Sequence, residues 1–256
     1  MKVSVIGTGI YGIALSLDIV SNGHHIKMWT ENQDLEKHFL EKHNLKPITD
    51  AFIPDAIEIT SDLKEALESA DFVVLATSAK YIRTICNQMK KYFNVLTPIC
   101  IASKGIENNT FSFLSDIVRN ELKAKHIAVI SGPTFAIDLI NQDPVALSAA
   151  VTTNKAFQFT SLAFDNERLK LRENRDLYGT QLCGSVKNVI AIASGILDGL
   201  GFSESTRAFL ITESMHDIKE LLVKMECNPK TIMSFAGIGD LMLTASSPKS
   251  RNYRYG

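Results

Sequence analysis

The stretch KVSVIGTGIYGIALSLDIVSNG, residues 2–23, decides how the first part of the chain folds. Lys2 to Ile6 alternates into an apolar run that reads as a short strand and stops at Gly7. Gly7, Gly9 and Gly12 follow in the spacing G-x-G-x-x-G. Beyond them Ile13, Ala14, Leu17 and Val20 fit one helix, which Asn22-Gly23 ends. His25 to Trp29 is a second strand, followed by Thr30-Glu31. Strand, glycine turn, helix, strand is the order of a dinucleotide-binding βαβ unit. There Gly7 permits the tight turn, Gly9 lets backbone approach a pyrophosphate, and Gly12 allows close helix packing. The helix N-terminus favours the anion. Glycine-rich turns are common, and this one carries weight because it follows a strand and opens a helix.

Glu31 lies 19 residues beyond Gly12, where an acidic side chain can hydrogen-bond ribose hydroxyls. A carboxylate there would repel a 2′-phosphate, so the expected cofactor is NAD or NADP with NAD favoured. The bland alternative is a solvated acid at the polar helix entry Asn32-Gln33-Asp34. Strand and helix then keep alternating: Ile57 to Thr60, a helix from Leu63 to Ser69 capped by Ser61-Asp62, and the buried strand Asp71 to Thr77. Helices over 79–92 and 110–122 bracket the strand Pro98 to Ser103. His126 to Ile130, Ala146 to Thr152 and Leu169 to Arg172 read as later strands, with a helix near 155–164. Repeated βα units put strand ends on the cofactor side, and with them Lys104 and the turn Ser131-Gly132-Pro133-Thr134. Taken alone, Lys104 is as well explained by an exposed strand end, and Thr134 by a helix cap.

From Tyr178 onward no strand is convincing, and the domain boundary falls between Asn174 and Tyr178. The expected fold is α/β: a Rossmann-type doubly wound sheet over 1–176, then an all-α substrate domain over 177–256. Its first helix, Leu177 to Leu197, carries Lys187 as its only charged side chain, followed at once by Asn188. It is not a membrane span, because Lys187 lies near its middle. A lysine so surrounded must be paired, face a wet cleft, lose its proton readily or snorkel to an edge. Asp240 follows two glycines and could point into a cleft or cap a helix. Ser250-Arg251-Asn252 offers a hydroxyl, a guanidinium fork and an amide, which suits a phosphate or a solvated loop equally.

Composition sets the outer limits. A net charge of −1 offers no basic field for nucleic acid or anionic lipid. Cys86, Cys100, Cys183 and Cys227 are scattered without a CxxC, which reads as reduced thiols in a cytoplasmic protein and no metal site. The chain opens directly on a strand, so neither export nor membrane insertion is expected.

These motifs together resemble the bacterial type of NAD(P)-dependent glycerol-3-phosphate dehydrogenase, over essentially the whole chain. The resemblance rests on GTGIYG (7–12), SKGIE (103–107), SGPTFA (131–136) and QLCGSVKNVIAIASGILDGLGF (181–202). It continues through RAFLIT (207–212), AGIGDLMLT (236–244) and SRNYRYG (250–256). It implies that Lys187 accepts the proton of the glycerol C2 hydroxyl, with Lys104 beside it and Asn188 and Asp240 in support. It further implies substrate contacts from Lys104, Gly132, Thr134, Lys187, Asp240, Ser250, Arg251 and Asn252. Ile10, Tyr11 and Ala136 match cofactor-contact positions, and Lys104 and Arg251 reach the cofactor as well.

The chain departs from that pattern at Glu31, where a basic or neutral residue is usual, and at Glu213-Ser214, where Arg-Gly is usual. Ile137-Asp138 is a milder change. Family members continue with more helices, including a cofactor-contacting glutamate, beyond the point matching Gly256. An incomplete helical domain would expose apolar faces at Phe209, Leu210, Leu221, Leu222 or the Lys187 helix. The resemblance implies an oxidoreductase interconverting dihydroxyacetone phosphate and sn-glycerol 3-phosphate for glycerophospholipid synthesis. The opposing expectation is a non-catalytic NAD-binding or partner-binding remnant, and a third is a related hydroxyacid dehydrogenase. A homodimer is compatible with the apolar helices but does not follow from them.

Overall fold

In the computed structural model, which describes residues 1–256, the run Lys2–Ile6 is strand β1, and α1 (Ile10–Ser21) returns the chain to β2 (His25–Trp29). Next come α2 (Gln33–Lys42), β3 (Ile57–Thr60), α3 (Leu63–Leu67) and β4 (Phe72–Leu75). Then α4 (Ile82–Met89), β5 (Ile99–Ile101), α5 (Leu114–Leu122) and β6 (Ile127–Ser131) follow. The last sheet units are α6 (Ala136–Ile140), β7 (Val145–Val151), α7 (Asn154–Phe164) and β8 (Leu169–Asn174).

The eight strands form one sheet in the order β3-β2-β1-β4-β5-β6-β7-β8. The first six run parallel, and the winding reverses between β1 and β4, whose ends pair at Ile6 and Leu75. A crevice opens at such a reversal, outside the carboxyl ends of the strands. The strand period of two sends Val3, Val5, Ile26, Met28, Ile57 and Ile59 to one core. Ile6, Trp29, Val73 and Leu75 go to the other, beneath α3, α4 and α5. Burial on both faces explains why these strands read as unbroken apolar runs.

β7 departs from the repeated βα pattern, because it pairs antiparallel to β6. The five-residue α6 is too short to carry the chain back along the sheet, so β7 starts where β6 ends. With β8 parallel to β7, the chain leaves the sheet at the opposite edge. α8 (Leu177–Gly199) therefore starts in the core beneath α5, where Gln181 bonds Ser115, and climbs along β6 toward the crevice. α9 (Glu204–Lys224), α10 (Asp240–Ser246) and α11 (Arg251–Tyr255) complete a helical layer against α8.

Two expected helices are shorter than the sequence suggests. The segment 79–92 opens with a single tight turn, Ala79–Tyr81, and continues as α4, which stops at Met89. The segment 110–113 stays outside α5: Phe111 takes a left-handed φ of +55°, and Thr110 donates to Glu107, which also accepts from Nε and Nη2 of Arg83. In the helical layer Phe209, Val189 and Ile196 are exposed as expected, whereas Leu222 is buried with Leu182 and Ile211.

One half-buried carboxylate ties α1 to the last strands. Asp18 Oδ1 accepts from Asn166 Nδ2 at 3.1 Å, while Oδ2 is buried with no partner. Burial pushes its pKa up to about 6, against the opposing pull of Asn166 and Arg168. The folded chain therefore holds this proton more tightly than the unfolded chain. The stability cost of ionising Asp18 sets in above about pH 4 and is complete above about 6. Asp18→Asn removes the charge, so its melting temperature relative to the parent should rise between pH 4.5 and 7, by ~2–4 °C for a chain of this size. A difference flat across that range would show that Asp18 is not the titrating group.

Candidate active site

The glycine turn has the shape its spacing implies. Gly7 adopts φ +121°, and a Cβ there would lie 2.8 Å from Thr77 Cγ2. A Cβ on Gly12 would lie 2.3 Å from the Gly7 carbonyl oxygen, so only glycine lets α1 start this close to the turn. Nothing lies within 4 Å of where a Gly9 Cβ would be. α1 carries no side-chain cap and no acid in its first turn, which leaves its first N–H groups free for an anion. These features fit the pyrophosphate of a dinucleotide. Gly7 N donates to Trp29 O at 3.0 Å and Thr8 Oγ1 to Thr30 Oγ1 at 3.0 Å, which seats the exposed Glu31 beside the turn.

From this turn a cleft of about 720 Å³ extends across the strand ends. The loops after β1, β4, β5 and β6 supply Gly9 to Tyr11, Ala76 to Ala79, Ala102 to Lys104 and Thr134 to Ile137. The helical layer supplies Lys187, Asn188, Asp240, Thr244 and Lys249 to Asn252. Gly7 and Gly12 shape the cleft from behind without lining it, Gly132 enters only through its carbonyl oxygen, and Glu31 stands outside the lining.

At its floor one carboxylate holds two ammonium groups. Lys187 Nζ donates to Asp240 Oδ1 at 2.5 Å, and Lys104 Nζ donates to Asp240 Oδ2 at 2.6 Å. Each participant arrives for a local reason. Lys104 is three residues past the β5 end, and its Nζ also reaches Gly132 O at 3.4 Å. Lys187 is lifted to the strand ends by α8, whose Gly184 passes so close to β6 that a Cβ would sit 3.1 Å from Ser131 Oγ. Asp240 opens α10 directly after a kink at Gly237, where a Cβ would meet Ile232 O at 2.2 Å. It is the first helical residue, with Gly239 in the cap position, so the α10 dipole favours its charge.

Asp240 is 1% exposed and Lys187 7%, so the trio is largely shut off from water. Two cations share one anion, and they cannot be held equally. Burial and the neighbouring Lys104 charge bring the Lys187 pKa down to about 7, against the pull of Asp240. Burial acts to lower Lys104 too, but attraction to Asp240 outweighs it and leaves that amine above its ordinary value. The outcome is one lysine fixed as a cation and one able to release its proton near neutrality.

Two contributors escape sequence reading. Thr244 Oγ1 accepts from Lys187 Nζ at 2.9 Å while donating to Asp240 O at 2.7 Å, one helical turn back. Its spacing from Asp240 was the available signal, once α10 was known to begin there. Ser131 Oγ donates to Asp240 Oδ2 at 3.3 Å, a contact that requires knowing how β6 and α10 meet. With Asp240 and Thr244 taking two N–H groups of Lys187, its third position is left for the cleft.

The other expected residues divide. Ile10, Tyr11, Thr134, Ala136, Arg251 and Asn252 line the cleft. Asn188 lines it too, but accepts from Asn252 Nδ2 at 2.8 Å and does not bond the lysines. Ser250 is 3% exposed and spends its hydroxyl capping α11, accepting from Tyr253 N at 3.3 Å. Lys249, unremarked in the sequence, spans the cleft rim to Asp138 at 3.3 Å.

Comparison with known proteins agrees with this geometry. Residues 2–157 match the sequence model of the NAD-dependent glycerol-3-phosphate dehydrogenase N-terminus, and residues 176–256 that of its C-terminus. The chain belongs to the NAD-dependent glycerol-3-phosphate dehydrogenase family. It is 35% identical to glycerol-3-phosphate dehydrogenase [NAD(P)+] of Thermoanaerobacter sp. (strain X514), over 100% of this chain and 77% of that protein. The protein of the same name from Staphylococcus saprophyticus is 34% identical, over 100% of this chain and 78% of its own length. The crystal structure of glycerol-3-phosphate dehydrogenase from Coxiella burnetii superposes with a TM-score of 0.94 at 29% identity, covering 99% of this chain and 78% of that one.

For this dehydrogenase chain the paired amines give a sharp expectation. Lys187→Ala should lose at least about 10³-fold in turnover, within the range of general acid–base groups, with NADH affinity within about twofold. A variant keeping a tenth of the parent rate would remove Lys187 from the chemistry.

Proposed function

We propose that this chain interconverts dihydroxyacetone phosphate and sn-glycerol 3-phosphate, with the Lys187–Asp240–Lys104 cluster carrying the proton. The observation behind this reading is that the cluster opens into the same cleft as the α1 N-terminus. The bound nicotinamide supplies or accepts the hydride at C2. For reduction, the Lys187 ammonium gives a proton to the substrate carbonyl oxygen while hydride reaches C2, so the alkoxide never stands unprotonated. In the other direction the neutral Lys187 amine takes the C2 hydroxyl proton as hydride leaves. Lys104 stays cationic beside it and favours negative charge on that oxygen. Asp240 and Thr244 hold the Lys187 amine in one orientation through both directions.

The lining of the cleft also suits a phosphate. Arg251 and Lys249 bring positive charge, and Thr134 and Asn252 bring hydrogen-bond partners. These donors support a phosphorylated substrate over a plain hydroxyacid. Residues 1–176 form the dinucleotide-binding unit in this reading, and 177–256 the part of the helical unit that carries Lys187 and Asp240. We place the reaction in the cytoplasm, supplying the glycerol phosphate backbone of phospholipids. Glu31 beside the glycine turn disfavours a 2′-phosphate and selects NADH.

Purified protein supplied with dihydroxyacetone phosphate should oxidise NADH, with kcat/KM at least about tenfold above that for NADPH. Reduction should slow as pH rises through about 7, because it needs the Lys187 ammonium, and oxidation should speed up over the same range. NADH binding without turnover would establish the non-catalytic reading instead, and better use of NADPH would refute the role given to Glu31.

A further inference from the structure

Tyr11 stands in the first turn of α1, two residues beyond Gly9. Its ring packs against the larger sheet core while its edge lines the cleft, so the hydroxyl is carried to a defined place. That hydroxyl lies 3.0 Å from Thr134 Oγ1, on the loop that leaves β6. Thr134 does not cap the helix it precedes: α6 starts after Phe135 and has no side-chain cap. Thr134 as a whole is 8% exposed and lines the cleft wall. The loop is pinched at this point, Thr134 N donating to Gly132 O at 2.9 Å, and the same carbonyl receives Lys104 Nζ at 3.4 Å. A polar path thus runs from the helix that meets the dinucleotide, through Tyr11 and Thr134, to Lys104 and Asp240.

We propose that Tyr11 is a positioning residue whose hydroxyl orients Thr134 toward the substrate, so that the dinucleotide helix and the substrate loop are set by one contact. This rests on the catalytic reading above. A phenylalanine would fill the same volume and keep the ring packing, but could not engage Thr134. The hydroxyl is therefore needed for orientation and not for the fold. Burial raises the Tyr11 pKa, although Lys104 and Thr134 pull it down, so the group stays a neutral phenol in the working range of the enzyme. A hydroxyl of Thr134 engaged on one side by Tyr11 has its remaining valence directed at the cleft. Freed from Tyr11 it can rotate, and substrate binding then has to freeze that rotor.

The experiment compares the full-length parent, Tyr11→Phe, Thr134→Val and the double variant. It measures KM for dihydroxyacetone phosphate, kcat, and NADH affinity by fluorescence. It also measures sn-glycerol 3-phosphate binding to the NADH-loaded proteins by calorimetry. Tyr11→Phe should raise the KM about threefold to tenfold, the loss of one net hydrogen bond, with a smaller change in kcat and NADH affinity than in KM. The double variant should be no worse than Thr134→Val, because both changes cut the same contact. An unchanged KM, an equal loss of NADH affinity, or effects that multiply would each overturn the inference. A parent without turnover would refute the catalytic reading. The calorimetric comparison would still judge the contact: weaker substrate binding by Tyr11→Phe supports it, and equal binding overturns it.

Discussion

A single buried carboxylate, Asp240, sits between two ammonium groups, and the arrangement of the whole chain serves to bring these three together. A buried ion is costly unless it is paired and hydrogen-bonded, and one anion cannot fully compensate two cations. The imbalance is the useful feature. It forces one amine to part with its proton near neutrality while the other remains charged, which would give the proposed reaction a proton carrier and a fixed positive charge from two identical side chains. Thr244 and Ser131 complete the hydrogen bonding of the trio, so it is polar throughout and specific in geometry.

The fold can be understood as the means of assembling that trio beside a dinucleotide turn. The parallel strands bring Gly9 and Lys104 to the same edge, as doubly wound sheets do with all their loops. The antiparallel turn at β7 then sends the chain to the far edge, and α8 has to rise the height of the sheet to come back. That climb is what places Lys187 level with Ser131. It also accounts for the apolar residues on the packed faces of α8, which meets β6 and three other helices, while Val189 and Ile196 remain exposed. One helix of this length and hydropathy meets the criteria of a membrane span, yet its central lysine is paired at 2.5 Å to Asp240 inside the protein.

Much of this was legible in the amino-acid order. The strand, glycine turn and helix at the start depend on nearest neighbours and on steric rules local to Gly7 and Gly12, so the sequence carries them in full. Lys187 was conspicuous because nothing around it could solvate a charge. Other features depend on contacts between distant segments. The direction of β7 follows from how few residues separate it from β6, and an apolar run looks the same in either direction. Residues 110–113 stay out of α5, where Phe111 turns left-handed and Thr110 bonds Glu107, a local arrangement that a period-based reading does not register. Thr244 and Ser131 acquire their roles from where Asp240 ends up, as does the bond that turns Asn188 toward Asn252 and away from the lysines. Ser250 and Leu222 show the same limit in reverse: the hydroxyl closes a helix end, and the leucine is covered by its own layer.

The central claim concerns the protonation of one amine, and it can be observed directly. Lysine Cε carbons can be labelled, the Lys187 resonance assigned by its loss in Lys187→Arg, and its shift followed by NMR as pH is varied. The midpoint should lie near 7, with Lys104 remaining charged well above it. A Lys187 midpoint near the ordinary 10.5 would contradict the account, because an amine that tightly protonated cannot act as the base.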